Sequence, residues 1–167
     1  CYEDLINHFR KQISALFYPE EKICLASLNK DTGDYKYGIF DYSEIMEDGF
    51  KIPENGLVKI NPCDGNGIRK ENITAYRNLL IESDSLNLMK QFELLKNSKL
   101  PIKLIVFSGN KSLHAFINID ATTPEQYSYR AKRIVEYLTQ IGFDCDKQVL
   151  HYAVFGRIAG SLRNGIP

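Results

Sequence analysis

The sequence predicts an α+β fold, an antiparallel sheet with helices on one face, from three observations. Apolar residues recur at helical spacing near the start of the chain and again after residue 123. Short β-branched or aromatic runs between them are bounded by Gly, Asn, Asp and Pro. From residue 76 onward the pieces follow the order strand, helix, strand, turn, strand, helix, strand, which describes one sheet carrying its helices on a single face.

The first element is a helix. Leu5, Ile6, Phe9, Ile13, Leu16 and Phe17 share a face, and Pro19 follows to end it. Two strands come next, Ile23 to Leu28 and Tyr35 to Tyr42, separated by the turn-rich stretch 29–33. Residues 47–72 are rich in Gly, Pro, Asn and Asp around one apolar run, Leu57 to Ile60. That stretch reads as a boundary between two lobes or a loop over a site.

Tyr76 to Asp84 ends in the apolar run Leu79-Leu80-Ile81 and reads as a buried strand. Residues 85–97 read as a helix with Leu88, Met89, Phe92 and Leu95 inward. Ile102 to Phe107 and Leu113 to Ile119 are strands flanking the turn 108–112. In the last helix Thr123 can cap, Pro124 suits the first helical position and Gln126 can complete a capping box. Its apolar stripe is Tyr127, Ala131, Ile134, Val135, Leu138 and Ile141, and Gly142 ends it.

The 167 residues suffice for one full core or two small lobes sharing a cleft, and 44% hydrophobic with 25% charged residues is ordinary for a soluble globular protein. Lys plus Arg (21) equals Asp plus Glu (21), so no global positive field announces a nucleic-acid partner, although an acidic site and a local basic groove would cancel in that sum. Cys1, Cys24, Cys63 and Cys145 form no C-x-x-C pair, which argues against structural zinc and for a reduced, cytoplasmic protein. No apolar run approaches the roughly 20 residues of a membrane span, and no secretory leader is recognisable. Cys1 in place of an initiator Met, and the end after Arg163, lead us to expect a piece of a longer protein.

Four features could carry chemistry. Glu82-Ser83-Asp84 places two acids two apart, hence on one face of an extended strand, where only a cation between them relieves their repulsion. Their other reading is a pair of surface acids capping the helix that starts near Ser85. Ser108-Gly109-Asn110-Lys111-Ser112-Leu113-His114 offers backbone N–H groups, hydroxyls and a positive charge to phosphate, or is simply a hairpin turn before a packed His. It lacks the spacing of a Walker loop. Asp144-Cys145-Asp146 is again two acids at strand spacing, or a turn whose Asp144 accepts hydrogen bonds near Gly142. Arg157 and Arg163 flank Gly160 and could fork onto phosphate oxygens. In this order the features make the kit that nucleotidyl transfer needs.

Leu80-Ile81-Glu82-Ser83-Asp84, the turn 108–114 ending in Ser-x-His, and Gly156-Arg157-Ile158-Ala159-Gly160-Ser161-Leu162-Arg163 resemble the motifs of the archaeo-eukaryotic primase superfamily, closest to the primase-polymerases of phages, plasmids and mobile elements. The resemblance covers residues 57–165; residues 1–50 match only loosely. Two departures are Asn110 where a second glycine is usual and Ala159 where proline is usual. The resemblance implies a two-lobed core: a small N-terminal α/β lobe over 1–56 and a catalytic lobe over 57–167 with an RNA-recognition-motif-like antiparallel sheet. It implies Glu82, Asp84 and Asp146 as ligands of two Mg²⁺ or Mn²⁺ ions, with Asp144 the alternative third acid. Lys111, Ser112 and His114 would hold the phosphates of a nucleoside triphosphate, and Arg157 and Arg163 would contact triphosphate or template. Tyr76 and Arg77 read as a packed aromatic and a surface base in preference to residues that line the nucleotide site.

The partners implied are a DNA template or primer and nucleoside triphosphates, with a fused helicase or CRISPR adaptation proteins compatible but marked by no motif. Two rivals remain. A metal-dependent nuclease would need no triphosphate. A non-catalytic nucleic-acid-binding module would show aromatics on an open sheet face, where the strands near this cleft carry acids and His.

Overall fold

The computed structural model of the protein describes residues 1–162. Helix α1 (Tyr2–Leu16) is followed by the hairpin β1 (Lys22–Leu28) and β2 (Tyr35–Asp41), the short helix α2 (Tyr42–Met46) and β3 (Gly56–Lys59). Then come β4 (Tyr76–Ile81), α3 (Leu88–Asn97), β5 (Ile102–Phe107), β6 (Leu113–Ala121), α4 (Pro124–Gln140) and β7 (Phe155–Arg157).

These strands form two antiparallel sheets, one of four strands in the order β2-β1-β3-β7 and one of three in the order β4-β6-β5. β7 thus returns from the far end of the chain to complete the sheet begun by β1 and β2. Side-chain alternation splits β4 between two cores. Leu80 joins Phe116, Val106, the α1 residues Phe9, Ile13 and Leu16, and the inward residues Ile23, Leu25 and Val58 of the four-stranded sheet. Leu79 and Ile81 point the other way, against Leu95 of α3 and Tyr127, Ala131 and Leu138 of α4. The three-stranded sheet is therefore covered on both faces, by α3 and α4 on one and by α1 and the other sheet on the second. Phe116 reaches the other sheet where β7 has no side chain: a Cβ on Gly156 would lie 2.8 Å from its ring.

The last helix starts as its sequence requires, Thr123 Oγ1 accepting from the Gln126 N–H and Gln126 Oε1 accepting from the Thr122 N–H. Three expectations are corrected. β4 stops at Ile81, short of Asp84, because the Glu82 carbonyl takes its hydrogen bond from outside the sheet. α3 begins after the cap Asn87, not at residue 85, and its inward face is Gln91 and Leu95, while Met89 is 78% and Phe92 48% exposed. Arg77 is no surface base: it is buried and pairs with Glu21 at 2.7 Å. Tyr76 packs edge-on against Tyr152. No helix among the described residues is long and apolar enough to cross a membrane.

Candidate active site

The acids come together where β4 ends. Ser83 is buried, its hydroxyl accepting from the Leu86 N–H, so the flanking Glu82 and Asp84 turn outward together. The Asp146 backbone N–H donates to the Glu82 carbonyl at 2.8 Å, which ties the loop after α4 beside β4. The result is a group of three, Glu82, Asp84 and Asp146, each offering a carboxylate oxygen within 4.8 Å of the others. Asp144 points elsewhere and accepts from the Ser85 hydroxyl at 2.7 Å.

His114 and Ser112 enter from the start of β6. Phe116, two residues beyond His114, and Leu80, two before Glu82, belong to the same core, so His114 and Glu82 project from one sheet face. His114 Nδ1 accepts from the Arg157 N–H at 3.0 Å, and a backbone N–H can only donate. Nδ1 is therefore unprotonated, and the ring proton sits on Nε2, 2.8 Å from Glu82 Oε2. The Ser112 hydroxyl lies 3.2 Å from the same oxygen and 3.1 Å from Ser108 Oγ.

The electrostatics follow. The His114 N–H beside Glu82 holds its carboxyl below the usual carboxylate range, against burial that would raise it. Asp146 shifts upward: the Gln148 N–H works to lower it, but burial and repulsion from Asp84 and Glu82 prevail. A proton is one way to let these carboxylates approach; a divalent cation is the other. Three carboxylate oxygen donors, with no thiolate or imidazole nitrogen among them, suit a hard ion of the magnesium or manganese type.

Beside Glu82 and Asp84 lies a cavity of about 340 Å³. Lys111, Ser112 and His114 of the three-stranded sheet line it with Leu28, Tyr35, Leu57 and Arg157 of the four-stranded sheet. Lys111 is exposed at its mouth. Arg157 is buried, with a guanidinium nitrogen 3.2 Å from the Ser161 carbonyl. Arg163 lies outside the described residues.

Two residues that organise the site escaped the sequence reading. Gln91, fully buried on α3, donates to the carbonyls of Leu86 (2.6 Å) and Lys111 (3.1 Å) and accepts from the Leu113 N–H, fastening the acid turn to the Ser/Lys turn. Gln12, fully buried on α1, donates to the Arg157 carbonyl (2.9 Å) and accepts from the Ala159 N–H (2.7 Å), fixing the strand that holds His114. The signal was a glutamine inside an apolar helical stripe, where burial requires a partner for each polar atom.

No protein-family model and no curated sequence matches the chain. Solved structures do. The archaeo-eukaryotic primase domain of the cyanophage S-2L primase-polymerase superposes with a TM-score of 0.62 at 14% identity, covering 93% of this chain and 82% of that one. Primase RepB′ superposes at 0.60 and 15% identity over 96% of this chain and 51% of that one. The catalytic domain of RepB′ in complex with initiator DNA gives 0.58 at 16%, over 94% and 77%. The chain has the primase-polymerase fold. At these identities the likeness concerns the fold; the chemistry has to be argued from the side chains.

Proposed function

We propose that this chain is a template-directed nucleotidyltransferase, a primase-polymerase catalytic core. The observation that carries the reading is the convergence of Glu82, Asp84 and Asp146 beside a cavity that Glu82 and Asp84 line together with Lys111, Ser112 and His114. Residues 57–167 supply the acids and the phosphate-holding turn, and the facing four-stranded sheet joins β1 and β2 of residues 1–56 to β3 and β7, the whole acting as one core. The reaction is attack of a 3′-hydroxyl on the α-phosphorus of a nucleoside triphosphate, with pyrophosphate leaving.

Glu82, Asp84 and Asp146 would hold two divalent cations, which when bound favour the alkoxide form of the attacking hydroxyl and offset charge on the triphosphate. Lys111 and the Ser112 hydroxyl hold the phosphates. His114 has one N–H to give, on Nε2, because the Arg157 N–H occupies Nδ1; it points at Glu82 here and would pass to a phosphate oxygen once cations engage Glu82. Arg157 and Arg163 steady triphosphate or template. RepB′ was captured with initiator DNA, which supports a DNA strand as the partner.

The test is primer extension with nucleoside triphosphates and Mn²⁺. Wild type extends a labelled primer and Asp84→Ala does not. Extension by Asp84→Ala at the wild-type rate, with contaminating polymerase excluded, would falsify the assignment. Degradation of DNA without any need for triphosphate would instead identify a nuclease.

A further inference from the structure

Both faces of the three-stranded sheet are covered, but its two edges differ. Along β4 the Asn78 carbonyl accepts from the Asn61 amide at 3.0 Å and the Tyr127 hydroxyl at 2.8 Å, and the Glu82 carbonyl accepts from the Asp146 N–H. β5, at the other end of the order β4-β6-β5, pairs with β6 alone. The Ser108 N–H donates to the Ser112 carbonyl at 3.0 Å, which makes those two a hydrogen-bonded pair of the antiparallel ladder. Counting back along the register, Val106 faces β6 in the same way, and the N–H and C=O groups of Ile105 and Phe107 point outwards. Among the described residues no hydrogen bond reaches those four groups.

That edge borders a groove. α1 runs beside it, and between the two lies a space of about 450 Å³, with Leu5, His8, Lys11 and Ala15 on one wall and β5 from Lys103 to Phe107 on the other. Leu104 and Val106 turn towards the core that α1 shares, so the side chains on that face of an added strand would lie against α1. His8 and Lys11 are exposed there, Lys103 adds a third basic group, and no described residue lining the groove is acidic. The two acids of α1, Glu3 and Asp4, stand in its first turn, outside that lining. At the far end of the strand the Phe107 ring is 48% exposed.

An unpaired strand edge is a template for another extended chain, and a helix alongside selects among chains by their side chains. We propose that β5 takes an acidic peptide segment of a partner protein as an added strand, its backbone paired to Ile105 and Phe107 and its carboxylates beside His8 and Lys11. A DNA backbone fits less well, because phosphates accept but cannot donate to the outward carbonyls. A second copy of β5 is disfavoured too. The register shifts between Ile102 and Leu104, so Lys103 sits at a bulge, and a bulge with a lysine guards an edge against pairing with itself. A second copy would also bring its own Lys103 to a groove that already holds three basic groups. The groove shares no described lining residue with the cavity of the acids, so docking there does not depend on the proposed chemistry.

The experiment is amide hydrogen exchange read by NMR, with and without a short peptide that alternates aspartate and isoleucine. In the free protein the Ile105 and Phe107 amides should exchange quickly and that of Val106 slowly, and saturating peptide should slow Ile105 and Phe107 by about tenfold. Lys11→Glu, at an exposed position, should melt with wild type and bind the peptide about tenfold more weakly. Phe107→Pro, which removes an outward N–H and no bond to β6, should abolish the slowing at Ile105. Slow exchange of Ile105 and Phe107 in the free protein at every concentration means a covered edge and overturns the proposal. Slowing that grows with protein concentration, with a dimer mass in sedimentation, overturns it in favour of a second copy. No slowing by the aspartate peptide, or equal slowing by a lysine-for-aspartate peptide or an oligothymidylate, overturns it as well.

Discussion

The two sheets of this molecule are made of similar strands but finished differently. The three-stranded sheet is sealed on both faces, and the acids stand at the end of its β4; the four-stranded sheet buries Cys24, Ala26, Lys59 and Arg157 on its second face but leaves Tyr35 and Tyr37 of its edge strand more than half exposed. The difference separates two tasks. Carboxylates that repel must be held by groups that cannot move, and here the buried Ser83 and Gln91 and the Asp146 N–H do the holding. The edge strand β2 has the lesser task of covering its neighbours: Tyr37, over half exposed itself, pairs with Ala26, which is 1% exposed.

The largest expected effect lies at the sealed sheet. Asp146→Asn should reduce primer extension to background, while Asp144→Asn, which loses only its contact with the Ser85 hydroxyl, should keep most of it. The reverse result would move the third acid and undo the geometry described here.

Next is the core between the sheets. Phe116→Ala should cost about 3–5 kcal/mol in urea unfolding, since the ring is fully buried. Tyr37→Ala on the edge strand, where the ring is 55% exposed, should change stability by under about 0.5 kcal/mol. Similar losses for both would mean that the Tyr37 ring is packed rather than half in solvent.

Gly156→Ala probes the seam. Its methyl group would meet the Phe116 ring at 2.8 Å, so about 1–3 kcal/mol of stability should go. Because the next residue's N–H holds His114, the apparent KM for nucleotide should rise as well. An unchanged KM would uncouple β7 from the site.

The smallest effect is a pH slope at β5. Burial, with help from Arg77, lowers the Lys103 ammonium from 10.5 to about 8. The unfolded chain therefore takes up this proton first as pH falls. Stability should decline from pH 10.5 towards 8 and level off below, and Lys103→Met should flatten that segment of the curve. Thermal melts across that range, wild type against variant, read it directly.

The periodicities of α1 and α4, the strand runs 102–107 and 113–119 and the caps of α4 were legible in the sequence, because each is set by neighbours along the chain. So were the types of residue at the site. The inward face of α3 was misread, since apolar content pointed to Met89 and Phe92 while the helix turns on the hydrogen bonds of Gln91. The end of β4 was misread too, because strand spacing alone carried it to Asp84.

By itself the sequence determined the elements, their order and a set of acids, hydroxyls, a histidine and arginines able to handle a triphosphate. Only the tertiary structure decided that Asp146 and not Asp144 joins Glu82 and Asp84, which nitrogen of His114 carries the proton, and which aromatic rings stay exposed. Each of those depends on a hydrogen bond or a packed layer between segments far apart in the chain, and local spacing holds no information about which distant backbone group will arrive.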